Sequence, residues 1–265
     1  MARRIVLTAV GEDWLGSSED TSRMKSALSW LKADGAAVIL FSECDRAQLE
    51  PIRQDLDLDD PFIVESGSAI FTPVVSNPFE EASQKALGDR DGDYFVMQLG
   101  CPYVQARAGL RVVANMISHP LKGLGDFTIP QLQRLSSLSE EAAHRAKARE
   151  FSELFMTPKA VRPEVLEQAA EEMGFNVIWR TSEESRFSEL VGAGASLTAA
   201  AAALLSAYSS MGGILEVTGL SQHQSALDWL RAATQSVDTE IKFEEVLLTS
   251  TLNEHWVTTV ESLRN

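Results

Sequence analysis

Cysteine is scarce in this chain: Cys44 and Cys101 are the only two among 265 residues. Two thiols are too few to suggest a disulfide framework or a zinc site. They read as small, buried apolar residues of a reducing compartment. Long apolar runs are missing as well. None approaches the ~20 residues of a membrane span. The start, Met1-Ala2-Arg3-Arg4, leads into a short strand-like run, not a signal-peptide core. Positive charge is short: 23 Lys and Arg stand against 38 Asp and Glu, a formal net charge of -15. Such a surface repels a nucleic-acid backbone and an anionic membrane, so neither is expected as a partner. A small anion is still admissible, because a local Arg cluster or a helix N-terminus overrides the global sign. The 4 His are scattered and the 5 Trp share no spacing, which argues against a zinc constellation and a base-stacking platform. A soluble, cytoplasmic protein is the expectation.

What the chain does contain is an α/β rhythm. Apolar runs at Ile5–Val10, Ala36–Phe41 and Pro61–Glu65 alternate with amphipathic stretches at Thr21–Ala33 and Asp45–Asp55. Strand, helix, strand, helix, strand predicts a parallel sheet. Gly67 then turns the chain into Ser68–Pro73. From Asn77 to Gly92 the sequence is polar and aperiodic and reads as a connection. A mixed section follows, with strands predicted at Tyr94–Leu99, Leu154–Met156 and Asn176–Trp179. Helices are predicted at Tyr103–Ile117, after Thr128, after Ser139, and at Arg162–Met173. The rhythm returns after Arg186, with a strand at Phe187–Val191 and an Ala-rich helix at Ser196–Tyr208. A strand at Ile214–Thr218, a helix capped by Ser221, a strand at Ile241–Phe243 and a last helix at Asn253–Leu263 complete it. The expected organisation is a core over 1–77 and 186–265, split by an α+β insertion over 78–185.

Several segments carry a specific likeness. Pro61-Phe62-Ile63-Val64-Glu65-Ser66-Gly67-Ser68-Ala69-Ile70 is one. Gly123-Leu124-Gly125-Asp126-Phe127 and Ala148-Arg149-Glu150-Phe151-Ser152-Glu153-Leu154-Phe155 are others, with Leu99-Gly100, Tyr103 and Arg186-Phe187 in order around them. Together they resemble the mannosyl-3-phosphoglycerate phosphatases of the haloacid-dehalogenase (HAD) superfamily. The resemblance implies a HAD-like Rossmannoid α/β core with a parallel sheet and an inserted C2-type cap domain.

The resemblance also implies a chemistry. HAD phosphatases attack phosphorus with an Asp at the end of the first strand, and a second Asp two residues on protonates the leaving oxygen. Magnesium neutralises charge during transfer. In this sequence the nucleophile position falls on Ala9 and the acid/base position on Gly11. The phosphate-binding hydroxyl is present as Ser42, and Arg46 survives from the basic run that follows it, with Cys44 in place of a Lys. The lysine position falls on Leu197, and no Lys lies between Lys159 and Lys242. The metal-binding acids are replaced by Gln222, Ser225 and Ala226. Asp13 is the nearest acid to the missing nucleophile.

Each remaining candidate has two readings. Ser42 contacts an anion or caps a helix. Arg46 and Arg186 contact a ligand or lie in surface ion pairs. Arg149, Ser152 and Glu153, in the cap signature, contact a sugar or glycerate, or hold cap to core in a structural network. His223 on the old metal loop is a polar surface residue before it is a ligand. The main expectation is a degenerate phosphatase homologue that binds a phosphorylated sugar or glycerate, or an enzyme partner such as a phosphatase or glycosyltransferase. No cofactor is expected on that reading. The alternatives are an active mannosyl-3-phosphoglycerate-type phosphatase using displaced residues and magnesium, and a structural subunit with no ligand.

Overall fold

The computed structural model describes residues 3–11, 18–81, 88–136, 138–179, 186–248 and 252–263. The first half of the core follows the predicted alternation: β1 (Arg3–Ala9), α1 (Ser18–Ala33), β2 (Ala37–Phe41), α2 (Arg46–Asp55) and β3 (Phe62–Val64). Asp45 caps α2: its carboxylate accepts the Gln48 N–H at 3.0 Å, and Gln48 Oε1 accepts the Asp45 N–H at 3.4 Å. This reciprocal capping box offsets the cost of Pro51 inside the helix. A tight turn then reverses the chain into β4 (Ala69–Pro73). Its three residues, Glu65, Ser66 and Gly67, all have left-handed backbone, with φ of 49°, 57° and 88°. Two of the three are not glycine, so the turn stores strain.

The predicted connection contains α3 (Pro78–Glu81) and β5 (Asp89–Asp91), before β6 (Tyr94–Gln98). Next come α4 (Tyr103–Met116), α5 (Ile129–Ser136), α6 (Glu140–Ala146), β7 (Ser152–Met156), α7 (Pro163–Glu172), β8 (Phe175–Ile178) and β9 (Phe187–Gly192). The chain ends with α8 (Leu197–Ser210), β10 (Leu215–Ser221), α9 (Gln224–Gln235), β11 (Ile241–Leu247) and α10 (Leu252–Ser262). The N-cap of α9 is His223, with no side-chain bond; the expected cap, Ser221, is the last residue of β10 and accepts the His223 N–H at 3.0 Å.

The core is an 8-stranded sheet in the order β11-β10-β1-β2-β3-β4-β6-β5. The first five strands are parallel, and β4, β6 and β5 join antiparallel. Side chains alternate across it. Val6, Val38, Leu40 and Phe62 pack against α1, α2 and Trp256 of α10, whereas Ile5, Leu7, Ile39 and Ile63 pack against α8 and α9. A second, 3-stranded sheet, β7-β9-β8, belongs to the insertion. One face of it is covered by α4 and α7 through Leu110, Val113, Leu166 and Phe155.

These pairings move both edges of the expected insertion. β5 and β6 extend the large sheet through β4, so 88–98 belongs to the core. β9 pairs with β7 and β8, so 187–192 belongs to the cap. An apolar run marks a strand, but nothing in its period says which sheet takes it. The two linkers instead cross at Gly100 and Gly192–Gly194, backbone against backbone. A Cβ on Gly192 would sit 2.8 Å from the Cys101 nitrogen, and one on Gly194 2.5 Å from the Leu99 oxygen.

Candidate functional site

In a parallel α/β sheet, the carboxyl ends of the central strands are where ligands are held. Here that edge is made by β1, β2 and β10, which lie side by side with Ala9 opposite Phe41 and Thr8 opposite Leu220. Ala9 closes β1 and Gly11 follows it. Leu197, at the first position of α8, is 7% exposed and lies in the apolar cluster against which Ala9 packs. Ala9 and Leu197, to which the resemblance assigns the nucleophile and the lysine, thus border one apolar cluster. Gln222, His223 and Ser225 are exposed after β10, and Ala226 is buried beneath them. Asp13 lies outside the described residues.

Ser42 follows β2 directly. Its hydroxyl donates to the Val10 oxygen at 2.6 Å and accepts the Cys44 N–H at 3.0 Å. A serine has one hydrogen to give. In this rotamer Ser42 spends it on tying the ends of β1 and β2 together, not on an outside anion. A recess of about 220 Å³ opens beside it, lined by Val10, Gly11, Cys44 and Gln48 from the core and by Arg145 from α6 of the cap. Arg145 also pairs with Glu141 at 2.6 Å.

The other candidates do not converge on this recess. Arg46 pairs with Glu50 at 3.1 Å and with Asp91 at 2.5 Å, and its guanidinium lies over Phe71 and Tyr94. Arg186 is exposed at the start of β9, and the Phe187 beside it pairs with Met156 at the far end of β7. Glu153 and Ser152 are neighbours on a strand and so point to opposite faces. Glu153 faces α4: its carboxylate accepts the Gly125 N–H at 3.0 Å and lies 3.9 Å from Arg107, leaving Oε2 buried with no hydrogen-bond partner. Burial raises its pKa, and the Gly125 N–H works against that rise. Gly123 has no room for a side chain here, since a Cβ would sit 2.2 Å from Glu153 Oε1. The Glu153 carboxylate is enclosed by its own domain.

Ser152 and Arg149 point to the other face, toward the core, and join a dense, buried polar cluster. Arg149 Nε donates to Ser152 Oγ at 2.8 Å and lies 3.5 Å from Glu65 Oε2. Its Nη2 donates to the Glu43 oxygen at 3.1 Å and pairs closely with Glu189. Glu65 accepts the N–H groups of Glu150 and Phe151 at 2.7 and 3.1 Å and the Ser152 hydroxyl at 2.6 Å. Ser66 donates to Glu189 at 2.7 Å. Glu43, Glu65 and Ser66 come from the core; Arg149 to Ser152 and Glu189 come from the cap. The strained turn at 65–67 aims two of the core groups at the cap. Burial works against the Arg149 charge, but Glu189 and Glu65 outweigh it and raise its pKa. Burial also raises Glu65, against the pull of Arg149. Asp45 stands beside this cluster, and burial pushes its carboxyl up to about 7 despite Arg149 and the N–H groups of α2.

Sequence reasoning named Arg149 and Ser152 and foresaw a cap-to-core network as one of their two roles. It passed over Asp45, Glu65, Ser66 and Glu189. Asp45 carried a readable signal in its spacing to Gln48, and Glu65 and Ser66 stood inside a quoted motif. Glu189 carried none.

No family model matches the chain. A glucosyl-3-phosphoglycerate/mannosyl-3-phosphoglycerate phosphatase of Persephonella marina is 29% identical over 168 residues, covering 63% of this chain and 58% of the relative. A mannosyl-3-phosphoglycerate phosphatase of Pyrococcus furiosus is 33% identical over 123 residues, 46% of this chain and 48% of the relative. A crystallised phosphatase of the HAD enzyme superfamily, from Bacteroides thetaiotaomicron, superposes with a TM-score of 0.57 at 13% identity, over 98% of this chain and 95% of that one. The chain is similar in sequence to these mannosyl-3-phosphoglycerate phosphatases. It shares the fold of the HAD phosphatases, a mainly parallel α/β sheet with an inserted cap. The sequence match itself spans about half the length of the curated relatives. Among the described residues no helix is long and apolar enough to cross a membrane.

Magnesium, implied by this fold family, takes carboxylate and water oxygens. The described side chains at the carboxyl edge of β1 and β10 are Ala9, Gln222, His223 and Ser225, none of them a carboxylate. No group of three or more His, Cys, Asp and Glu among the described residues is arranged to hold a metal ion. Among the described residues, this donor set does not fit magnesium; Glu12 and Asp13, next in the chain, lie outside them.

Proposed function

We propose that this chain is a non-catalytic homologue of the HAD phosphatases and acts by binding. One observation carries the reading: Ala9 at the end of β1 and a core-packed Leu197 at the start of α8 stand where the resemblance calls for a nucleophile and a lysine. In-line phosphoryl transfer requires a placed nucleophile and charge neutralisation, and neither Ala9, Gly11 nor Leu197 supplies one. The binding partner is a phosphorylated sugar or glycerate in the recess beside Ser42 and Arg145, or an enzyme that docks across it. Arg46 and Arg149 are held by their own acids, which supports a modest anion affinity at most. A thermal-shift panel with 3-phosphoglycerate, sugar phosphates and glycosylglycerates, with and without magnesium, tests the ligand. A bound ligand raises the melting temperature by mass action. No shift at millimolar concentration leaves the enzyme partner or the structural subunit.

The names of the curated relatives favour a second reading, an active mannosyl-3-phosphoglycerate-type phosphatase using a displaced acid such as Asp13 and magnesium. Magnesium-dependent turnover of mannosyl- or glucosyl-3-phosphoglycerate, lost in Asp13→Asn, would overturn the non-catalytic reading.

A further inference from the structure

The core–cap junction surrounds one cation with three acids. Arg149 is the cation, and Asp45, Glu65 and Glu189 are each 0% exposed. Glu65 takes its donors from the cap, and Glu189 takes Ser66 from the core and Arg149 from the cap. By contrast, Asp45 Oδ1 serves the Gln48 N–H, while Oδ2 is buried with no hydrogen-bond partner. An ionised carboxylate oxygen in that position has lost its water and gained nothing in return. The guanidinium that could compensate is already claimed by Glu189 and Glu65. The groups facing Asp45 are Arg149 from the cap, Glu65 from the strained turn, and the N–H groups of Ala47 and Gln48 on α2. Arg145, on the α6 helix that packs against α2, is paired with Glu141, and Glu189 lies across the guanidinium.

We propose that this junction is a proton latch: Asp45 holds a proton while the cap is docked on the core, and its ionisation loosens the cap. The latch goes beyond the binding reading and does not depend on it. The sign follows from the site. The docked state raises the affinity of Asp45 for its proton, so docking is favoured at low pH and weakens as pH rises from the ordinary Asp range through neutrality. Undocking lets water reach Asp45 and releases the proton.

The Glu150 and Phe151 amides report docking directly, because their acceptor is Glu65 in the core. The experiment is hydrogen exchange on the full chain from pH 5 to pH 8, corrected for intrinsic rates. The expected result is a fall in protection of these two amides by roughly 10- to 100-fold, from values below those of Val6 and Leu7 in β1. Asp45→Asn keeps the N-cap acceptor without the charge and is expected to stay flat. Asp45→Ser, a second neutral cap, serves if the Asn variant misfolds. The latch is overturned if wild type and both variants fall in parallel. It is also overturned if the wild-type amides are flat, or if they exchange only in step with β1, which would mark global unfolding and not cap release.

Discussion

The Glu65 carboxylate of the core accepts the Glu150 N–H of the cap at 2.7 Å, and Arg149, one residue earlier, lies 3.5 Å from the same carboxylate. Two domains are thus joined through one fully buried acid. Removing the cation leaves that acid and Glu189 without their charge partner. Arg149→Met is expected to destabilise the chain by about 3–5 kcal/mol, measured by urea unfolding. Arg149→Lys is expected to recover little of this, because an ammonium cannot serve Ser152, Glu189 and Glu43 in a planar fork. A lysine variant as stable as wild type would refute the assignment.

Gly67 is expected to be the least replaceable residue of the turn that presents Glu65. Its φ is +88°, and a Cβ would meet the Ser196 carbonyl carbon at 2.3 Å. That obstacle is backbone, at the start of α8, and cannot rotate away. Gly67→Ala is expected to cost about 2–4 kcal/mol. Thermal unfolding checks it, with Gly92→Ala, which has nothing within 4 Å, as the comparison.

Stability is expected to fall as pH rises from about 4 to about 6, and Asp60 is one cause. Burial pushes its carboxyl up to about 6, against the hydrogen bond from the Val38 N–H at 2.9 Å. A folded-state pKa above the unfolded value means that the folded state binds the extra proton. The stability is complete below the unfolded pKa and is lost as pH passes through the folded one. Asp60→Asn keeps an acceptor for Val38 and is expected to remove about 2–3 kcal/mol of this pH dependence. Urea midpoints at pH 4 and pH 7 measure it; equal slopes in wild type and variant would exclude Asp60.

Leu197→Lys reinstates the residue that the family resemblance calls for. The side chain would enter an apolar cluster with Ile5, Leu7 and Ala200. An ammonium there has no described acid at the end of β1 to meet it. The expected result is a loss of about 3 kcal/mol or more and no gain of phosphatase turnover, checked by unfolding and by phosphate release.

The large sheet was legible because its strands are buried runs with helices between them, as in Ile5–Val10 and Ala36–Phe41. β5 was not. Its residues, Asp89, Arg90 and Asp91, are all exposed, and its place at the sheet edge comes from backbone pairing with β6 and the Asp91–Arg46 ion pair, not from an apolar run. Phe187–Val191 was readable as a strand, but its partners lie 31 to 39 residues away in β7 and 11 to 15 away in β8, which no local period encodes. At the site, Ala9 closes β1 and Leu197 opens α8, ends that the apolar run and the Ser196 cap mark in the sequence. The division of Ser152 from Glu153 was not legible, because the strand predicted from the sequence starts at Leu154 and β7 starts at Ser152. Nor was the acid that Arg149 meets, since Glu189 sits in a strand that pairs with β7 only in three dimensions.

The order of strands sets a folding schedule. β1 precedes the other strands of its sheet in the chain and lies in the middle of it, yet Arg3 pairs with Leu215 and Ile5 with Val217. One side of the central strand stays open until the whole cap and α8 have been synthesised. Contacts of such long sequence separation form slowly. The cap closes on shorter-range pairings of its own, so it is the first unit able to finish. During that interval β1 offers an unpaired apolar edge. The cap, whatever it does in the folded protein, is also a length of chain that must be made before β1 gains its second neighbour.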